Sequence, residues 1–155
     1  MADYRTILVP YDFSEHSRKA LETALDLGRR FDSNLHLLHV VNPPSVAHPT
    51  IGTAATPPAS LLADLREAAA KSLDAVAAAI ESRPGTVKAH IAVGGAIAEA
   101  IRETAETLGA DLIVMGTHGR TGIARVFLGS VAERTLRGAP CPILMVCAEE
   151  EEDRS

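Results

Sequence analysis

Short apolar runs alternate with longer amphipathic stretches along most of the chain. Runs at 5–9, 35–41, 112–115 and 142–147 have the length and composition of strands, and 112–115 suits a strand buried on both faces. The segment 86–93 alternates only partly between apolar and polar residues, which predicts a strand near the edge of a sheet. The pattern therefore predicts five strands.

Apolar residues that recur every three or four positions predict four helices between these strands. Ser14 is placed to cap the first helix, and Gly109 to end the third. Ser130 and Glu133 have the spacing of a capping box, which predicts that Ser130 caps the fourth helix. The helical stretches are 14–31, 60–82, 96–108 and 130–137.

Strands that alternate with helices predict an α/β fold, in which a five-stranded parallel sheet carries helices on both faces. Such sheets bind ligands beyond the carboxyl ends of their strands, where the strand order reverses. Unusual residues follow two of the strands: Pro10, Tyr11 and Asp12 after the first, and Gly116 onward after the fourth. If these two strands are neighbours, both segments line one crevice.

Composition narrows the class of protein. The 155 residues carry a net charge of -5 with no basic tract, which argues against a dedicated nucleic-acid surface or an anionic-membrane surface. No apolar run reaches the roughly 18 residues that a membrane span needs. The residues 1–5 lack a signal-peptide pattern, so we expect a cytoplasmic protein.

Two segments do not follow the strand and helix pattern. The connection 42–59 contains five of the nine prolines and has no hydrophobic periodicity, so we interpret it as a mobile linker rather than a functional lid. The residues 149–155 are mostly acidic and are expected to form a disordered tail. The expected organisation is therefore one domain over 1–148, followed by this tail.

The glycines after the fourth strand have a specific spacing. Two residues separate Gly116 from Gly119, nine separate Gly119 from Gly129, and Ser130 follows directly. A strand, a glycine-rich loop and a helix start together can cradle a phosphate, because free backbone N–H groups point at the anion. The segment matches neither the Walker pattern nor G-x-G-x-x-G.

Several residues near this loop admit two interpretations. Asp12 suits a turn or a cap, and it equally suits contact with a ribose hydroxyl, an adenine amine or a metal ion. Ser130 can cap a helix when the site is empty and bind phosphate when it is filled. His118 and Arg120 lie inside the loop. Since lysine is rare, Arg120 or Arg125 would have to neutralise any bound phosphate, alone or with Mg²⁺, and the alternative for either is a solvated loop arginine.

The chain resembles the universal stress protein family. The resemblance lies in three segments: ILVPYDFSEHSRKAL, LHLLHVV, and DLIVMGTHGRTGIARVFLGSVAERTLRGAPCPILMV with its intact glycine and serine pattern. It implies a Rossmann-like open sheet of strand order 3-2-1-4-5. It also implies ATP binding, because family members with the intact pattern bind ATP, and a homodimer formed through the strand 142–147.

The same resemblance assigns residues to the nucleotide. Asp12 and the Val40 backbone would contact the adenosine, and Pro10 and Met115 would form walls of the site. The residues that would line the ribose and phosphates are Gly116, His118, Gly119, Gly129, Ser130 and Val131, with Arg120 beside them in the loop.

Three functions remain open at this point. The first, which we favour, is a regulatory ATP-binding module of the stress response with slow or no hydrolysis and no catalytic residues. The second is an adenine-nucleotide hydrolase or nucleotidyl transferase, although no Walker lysine, paired carboxylates or Ser-His-Asp arrangement can be assembled from the sequence. The third is a structural dimer module with an empty crevice.

Overall fold

A computed structural model describes residues 3–43, 46–47, 54–80, 86–118 and 128–148. Strands and helices alternate along the chain as predicted, with two additional short strands in the connection 42–59. The elements in chain order are β1 (Thr6–Pro10), α1 (Glu15–Phe31), β2 (Asn34–Val41), β3 (Val46–Ala47), β4 (Ala54–Ala55), α2 (Ala59–Ala79), β5 (Val87–Val93), α3 (Ile97–Leu108), β6 (Leu112–Gly116), α4 (Ser130–Gly138) and β7 (Ile143–Val146).

The main sheet has five parallel strands in the order β5-β2-β1-β6-β7. When only the strands of this sheet are counted, the order is 3-2-1-4-5, so the prediction is confirmed. The first and fourth of these strands, β1 and β6, are neighbours, with Ile7 opposite Leu112 and Leu8 opposite Ile113. The strand order reverses between them, because β1 continues to β2 on one side while β6 continues to β7 on the other.

Apolar clusters cover both faces of the sheet. In β1, Ile7 and Val9 belong to a cluster completed by α1 and by Leu73 of α2, whereas Leu8 belongs to a cluster completed by α3 and α4. Ile7, Leu8 and Val9 have no exposed surface. This alternation follows from strand geometry, in which successive side chains point to opposite faces. The two clusters fix β1 at the centre of the molecule.

The connection 42–59 is more regular than the sequence indicates. Within its described residues, β3 and β4 pair in antiparallel fashion, with Val46 opposite Ala55 and Ala47 opposite Ala54. Its predicted mobility stays a prediction, as does the disorder of 149–155, which lies outside the described residues. None of the helices in the described part of the chain has the length and apolar character that crossing a bilayer requires.

Candidate functional site

A cleft of about 560 Å³ opens beyond the carboxyl ends of β1, β2 and β6 and extends to the start of α4. Nine of the eleven residues predicted for the nucleotide site line this cleft: Pro10, Asp12, Val40, Met115, Gly116, His118, Gly129, Ser130 and Val131. The other two, Gly119 and Arg120, lie outside the described residues. Arg125, the alternative partner for phosphate, lies outside them as well.

One wall of the cleft has no counterpart in the sequence-based predictions. Ile97 and Ile101 of α3 and Leu128, just before α4, line the cleft beside Met115. In the sequence the α3 residues read as the apolar stripe of an ordinary helix. Ile101 also belongs to the apolar cluster that α3 and α4 complete, and Ile97 packs against it, so both residues contribute to the core as well as to the cleft.

The turn after β1 holds Asp12 at the mouth of the cleft. The Asp12 carboxylate accepts a hydrogen bond from the Ser14 backbone N–H at 3.0 Å, and the Asp12 N–H donates to the Ser17 hydroxyl at 3.4 Å. Ser14 in turn caps α1 as predicted, its hydroxyl accepting from the Ser17 N–H at 3.2 Å. Asp12 is thus both a turn residue and a wall of the cleft, so the two interpretations of its role are compatible.

Aromatic residues and a histidine support this turn. Phe13 has a φ of 64°, a left-handed conformation that costs a residue with a side chain about 1–3 kcal/mol. Its ring packs edge-on against Tyr11 and His39, with ring centroids 5.1 Å apart in both pairs. The His39 Nδ1–H donates to the Tyr11 carbonyl oxygen at 2.8 Å, which fixes that hydrogen on Nδ1. Burial raises the pKa of the Tyr11 phenol.

At two positions of the cleft, a neighbouring segment comes so close to the backbone that only glycine fits. A Cβ on Gly116 would lie 2.7 Å from the His16 Cβ and 2.9 Å from the His16 carbonyl carbon. A Cβ on Gly129 would lie 3.0 Å from the Thr117 carbonyl oxygen, to which the Gly129 N–H donates at 2.8 Å. The end of β6 and the start of α4 are therefore held together at this edge of the cleft.

The predicted capping box is wrong. Gly129 is the cap residue of α4 and Ser130 is the first residue of the helix, with no side-chain hydrogen bond at the cap. Gly129 is extended, at φ -60° and ψ 152°, so the helix begins one residue earlier than the S-x-x-E pattern predicts. The Glu133 carboxylate accepts a hydrogen bond from the Arg137 side chain at 2.7 Å, whereas a capping box would have it accept from the backbone N–H of the cap residue.

The start of α4 has the features of an anion site. Ser130, Val131 and Ala132 line the cleft, and at these positions an α-helix offers no internal acceptor for the backbone N–H groups. The helix dipole also favours negative charge here. Among the described lining residues there is one carboxylate, that of Asp12, and neither lysine nor arginine. In this part of the chain, the groups that an anion could contact are therefore backbone donors and the Ser130 hydroxyl.

The residues present fit a Mg²⁺ ion only in part. The Ser130 and Thr117 hydroxyls and the Asp12 carboxylate are oxygen donors of the type Mg²⁺ prefers. Among the residues that the structure describes, no group of three histidine, cysteine or acidic side chains is placed to hold a metal. Any Mg²⁺ here would need ligands from bound phosphates.

Comparisons with known proteins agree with this architecture. The sequence model of the Universal stress protein family matches residues 3–146. Universal stress protein MJ0531 of Methanocaldococcus jannaschii is 36% identical over 151 residues, which cover 96% of this chain and 85% of that protein.

Solved structures show the same similarity. The structure of hypothetical protein MJ0577 has a TM-score of 0.77 at 28% identity, covering 96% of this chain and 99% of that one. A relative found by sequence has the same designation, Universal stress protein MJ0577 of Methanocaldococcus jannaschii. A universal stress protein family member from Burkholderia pseudomallei has a TM-score of 0.71 at 32% identity, covering 96% and 99% of the two chains. The chain therefore belongs to the universal stress protein family.

Proposed function

We propose that this protein binds ATP in the cleft between β1, β2, β6 and α4, and that it acts as a regulatory module of the stress response. The observation that carries the proposal is that residues distant in sequence line one cavity. Asp12 follows β1, Gly116 ends β6, and Gly129 and Ser130 begin α4, yet all four line the same cleft. A volume of about 560 Å³ lies within the range of small-molecule sites.

The two ends of the cleft differ in chemistry, which supports one orientation of the nucleotide. Around Met115 and Ile97 the lining is apolar, and Asp12 with the Val40 backbone supplies polar groups beside it. This end would take the adenosine. The phosphates would lie at Gly129 and Ser130, where the α4 dipole and unpaired N–H groups favour an anion.

Slow or absent hydrolysis follows from the groups available. Fast phosphoryl transfer uses charge-neutralising lysine or arginine residues and a group that positions the attacking nucleophile. The sequence has no Walker lysine, and the one carboxylate among the described lining residues, on Asp12, is engaged by the Ser14 N–H. ATP bound here would therefore act as a signal that stabilises one conformation, with Mg²⁺ held chiefly by its phosphates.

We also propose a homodimer formed through β7. In the described sheet β7 is the last strand and pairs with β6 alone, so its outer edge presents unpaired backbone groups. Leu144 of this strand has 38% of its surface exposed. Exposed apolar edge strands tend to pair with another chain, and a two-fold axis would pair β7 with its own copy.

The test begins with the protein as purified. Mass spectrometry of the denatured protein should detect bound adenine nucleotide. After nucleotide removal, calorimetry in the presence of Mg²⁺ should show ATP binding with one site per chain. No heat of binding under these conditions would contradict the proposed function and favour a module with an empty crevice. Turnover in the range of about 1–100 s⁻¹ typical of kinases would instead favour a hydrolase or transferase.

A further inference from the structure

We propose that His16 is a positioning residue for the phosphate end of the cleft, a role that rests on the proposed ATP binding. His16 lies in the first turn of α1 and is not among the described residues that line the cleft. It contacts Gly116 and His118, two residues that do line the cleft. No feature of the glycine and serine pattern includes it.

The first contact is with the backbone at the end of β6. A Cβ added to Gly116 would lie 2.7 Å from the Cβ of His16 and 2.9 Å from its carbonyl carbon. The first turn of α1 therefore packs directly against the last residue of β6. This contact sets the position at which the chain leaves the sheet and enters the loop.

The second contact is between two imidazole rings. The ring centroids of His16 and His118 are 5.3 Å apart, with the planes tilted by 56°. His118 lines the cleft, and its Nδ1 lies 3.1 Å from the Thr117 hydroxyl oxygen. The His118 ring is thus held between the His16 ring and the Thr117 side chain, which restricts the directions in which it can point.

The third contact joins His16 to Ala148, two residues beyond the end of β7. The Ala148 N–H donates to the His16 Nδ1 at 3.4 Å, so Nδ1 is the acceptor and the ring hydrogen of the neutral form is on Nε2. Next to this bond, the Thr117 N–H donates to the Val146 carbonyl oxygen at 3.0 Å. His16 therefore lies between the phosphate end of the cleft and the end of β7.

The consequence is pre-organisation of the anion site. A binding group whose rotamer is already fixed by its neighbours loses less conformational entropy when the ligand arrives. His16 fixes the ring of His118 by packing, while the hydrogen bond to Ala148 holds His16 itself in place. Removing the ring should weaken contacts with phosphates and leave the adenosine end unchanged.

The test compares ATP with adenosine, which lacks the phosphates. His16→Ala should raise the Kd for ATP roughly tenfold, a size typical of coupling between residues in contact. The Kd for adenosine should stay within about twofold, because its contacts lie at the other end of the cleft. A variant that merely damaged the fold would weaken both ligands together.

Two further variants separate the contacts of His16. His16→Phe keeps an aromatic ring against His118 but has no acceptor for the Ala148 N–H, and it should retain most of the ATP affinity. His16→Asn keeps an acceptor close to the position of Nδ1 but has no ring, and it should bind ATP as weakly as His16→Ala. Lys19→Ala is the control on the same helix, since Lys19 pairs with Glu22 on the surface and should not affect either Kd.

The outcomes are distinct. Unchanged ATP affinity in His16→Ala, with the wild type binding ATP, would overturn the role of His16 and leave the proposed function standing. So would ATP affinity that survives in His16→Asn and is lost in His16→Phe. Absence of ATP binding by the wild type would overturn the proposed function and this role with it.

Discussion

The Gly129 N–H donates to the Thr117 carbonyl oxygen at 2.8 Å, and this bond joins the start of α4 to the residue that follows β6. The two residues are twelve positions apart, and the predicted glycine loop runs between them. A Cβ at position 129 would lie 3.0 Å from the same oxygen. The bond and the close approach bring the two ends of the loop to one edge of the cleft.

Gly129→Val should abolish ATP binding. The branched side chain would enter the space next to the Thr117 oxygen and the His118 Cα, which lies 3.5 Å from the position of the new Cβ. The start of α4 would move away from β6, so its N–H groups would no longer point at the phosphates. Wild-type protein at an ATP concentration a hundred times its Kd should gain about 2.7 kcal/mol of stability. Gly129→Val should show no thermal shift.

Gly138→Val is the matched control for this substitution. It adds the same side chain to the other end of α4, where a Cβ would have the Arg102 Cδ at 3.4 Å as its neighbour. Because Arg102 has a flexible side chain, this position can adapt. Gly138→Val should bind ATP like the wild type, and a wild-type thermal shift in Gly129→Val would contradict the importance of the close approach.

Ser130→Ala should weaken ATP binding by about 1 kcal/mol, the contribution of one hydrogen bond from the hydroxyl. Its free energy of unfolding should change by less than about 0.5 kcal/mol, because Ser130 is an exposed first residue of α4 and not its cap. Calorimetry with ATP and urea unfolding without it measure the two effects separately. A stability loss near 1 kcal/mol would instead restore the capping role.

ATP turnover should be far slower than the roughly 1–100 s⁻¹ of kinases. The physical reason is that the sequence has no Walker lysine, and the described lining of the cleft has a single carboxylate, on Asp12, which the Ser14 N–H already engages. Single-turnover measurement with excess protein, followed by chromatography of the nucleotide, gives the rate. Equal release of ADP from wild type and Gly129→Val would identify a contaminating enzyme as its source.

Leu144→Lys should convert the proposed dimer into a monomer, because it places a charge on the exposed edge strand β7. Met145 of the same strand is unsuitable for this test, because it packs against the apolar cluster that α3 and α4 complete and its replacement would damage the core. Light scattering coupled to size exclusion reports the mass. Leu61→Lys is the control, since Leu61 of α2 is 36% exposed against 38% for Leu144. A monomeric wild type at micromolar concentration would contradict the dimer.

Acid should destabilise the protein through the pair of His36 and His90. The His36 Nδ1 and the His90 Nε2 lie 2.8 Å apart, so one ring donates to the other. Burial lowers the pKa of both imidazoles below the ordinary 6.5, the neighbouring His90 lowers that of His36 further, and Lys88 acts in the same direction on both. The unfolded chain then binds protons more readily than the folded one. The contribution of this pair is complete above pH 6.5 and is lost as the pH falls through the lowered pKa values.

Urea unfolding at pH 8 and pH 5 measures this effect. The wild type should lose more stability between these values than a variant carrying His36→Asn and His90→Gln, in which neither side chain titrates. Lys88→Gln keeps the pair but removes the nearby positive charge, so its loss should be intermediate. An equal loss in all three proteins would show that other groups control the acid response.

Much of the fold follows from local sequence. The alternation of apolar runs with amphipathic stretches predicts five strands and four helices, and the glycine after Leu108 ends α3 in the left-handed conformation expected of a C-cap. These features are local because backbone conformation and periodicity depend on residues a few positions apart. The capping box places the cap of α4 at Ser130, one residue after the observed cap, Gly129. The sequence does not separate the two, because a serine suits the first turn of a helix as well as its cap.

The sequence by itself determined that this is a parallel α/β protein of the universal stress protein family, and it identified the segments that follow the first and fourth strands as the place for a ligand. Only the tertiary structure decided which other residues line or support the ligand cleft. The wall from Ile97 and Ile101 and the contacts of His16 with Gly116 and Ala148 join residues far apart in the chain. Such contacts depend on which helices and strands pack together, and periodicity shows which face of an element is buried but not which partner covers it.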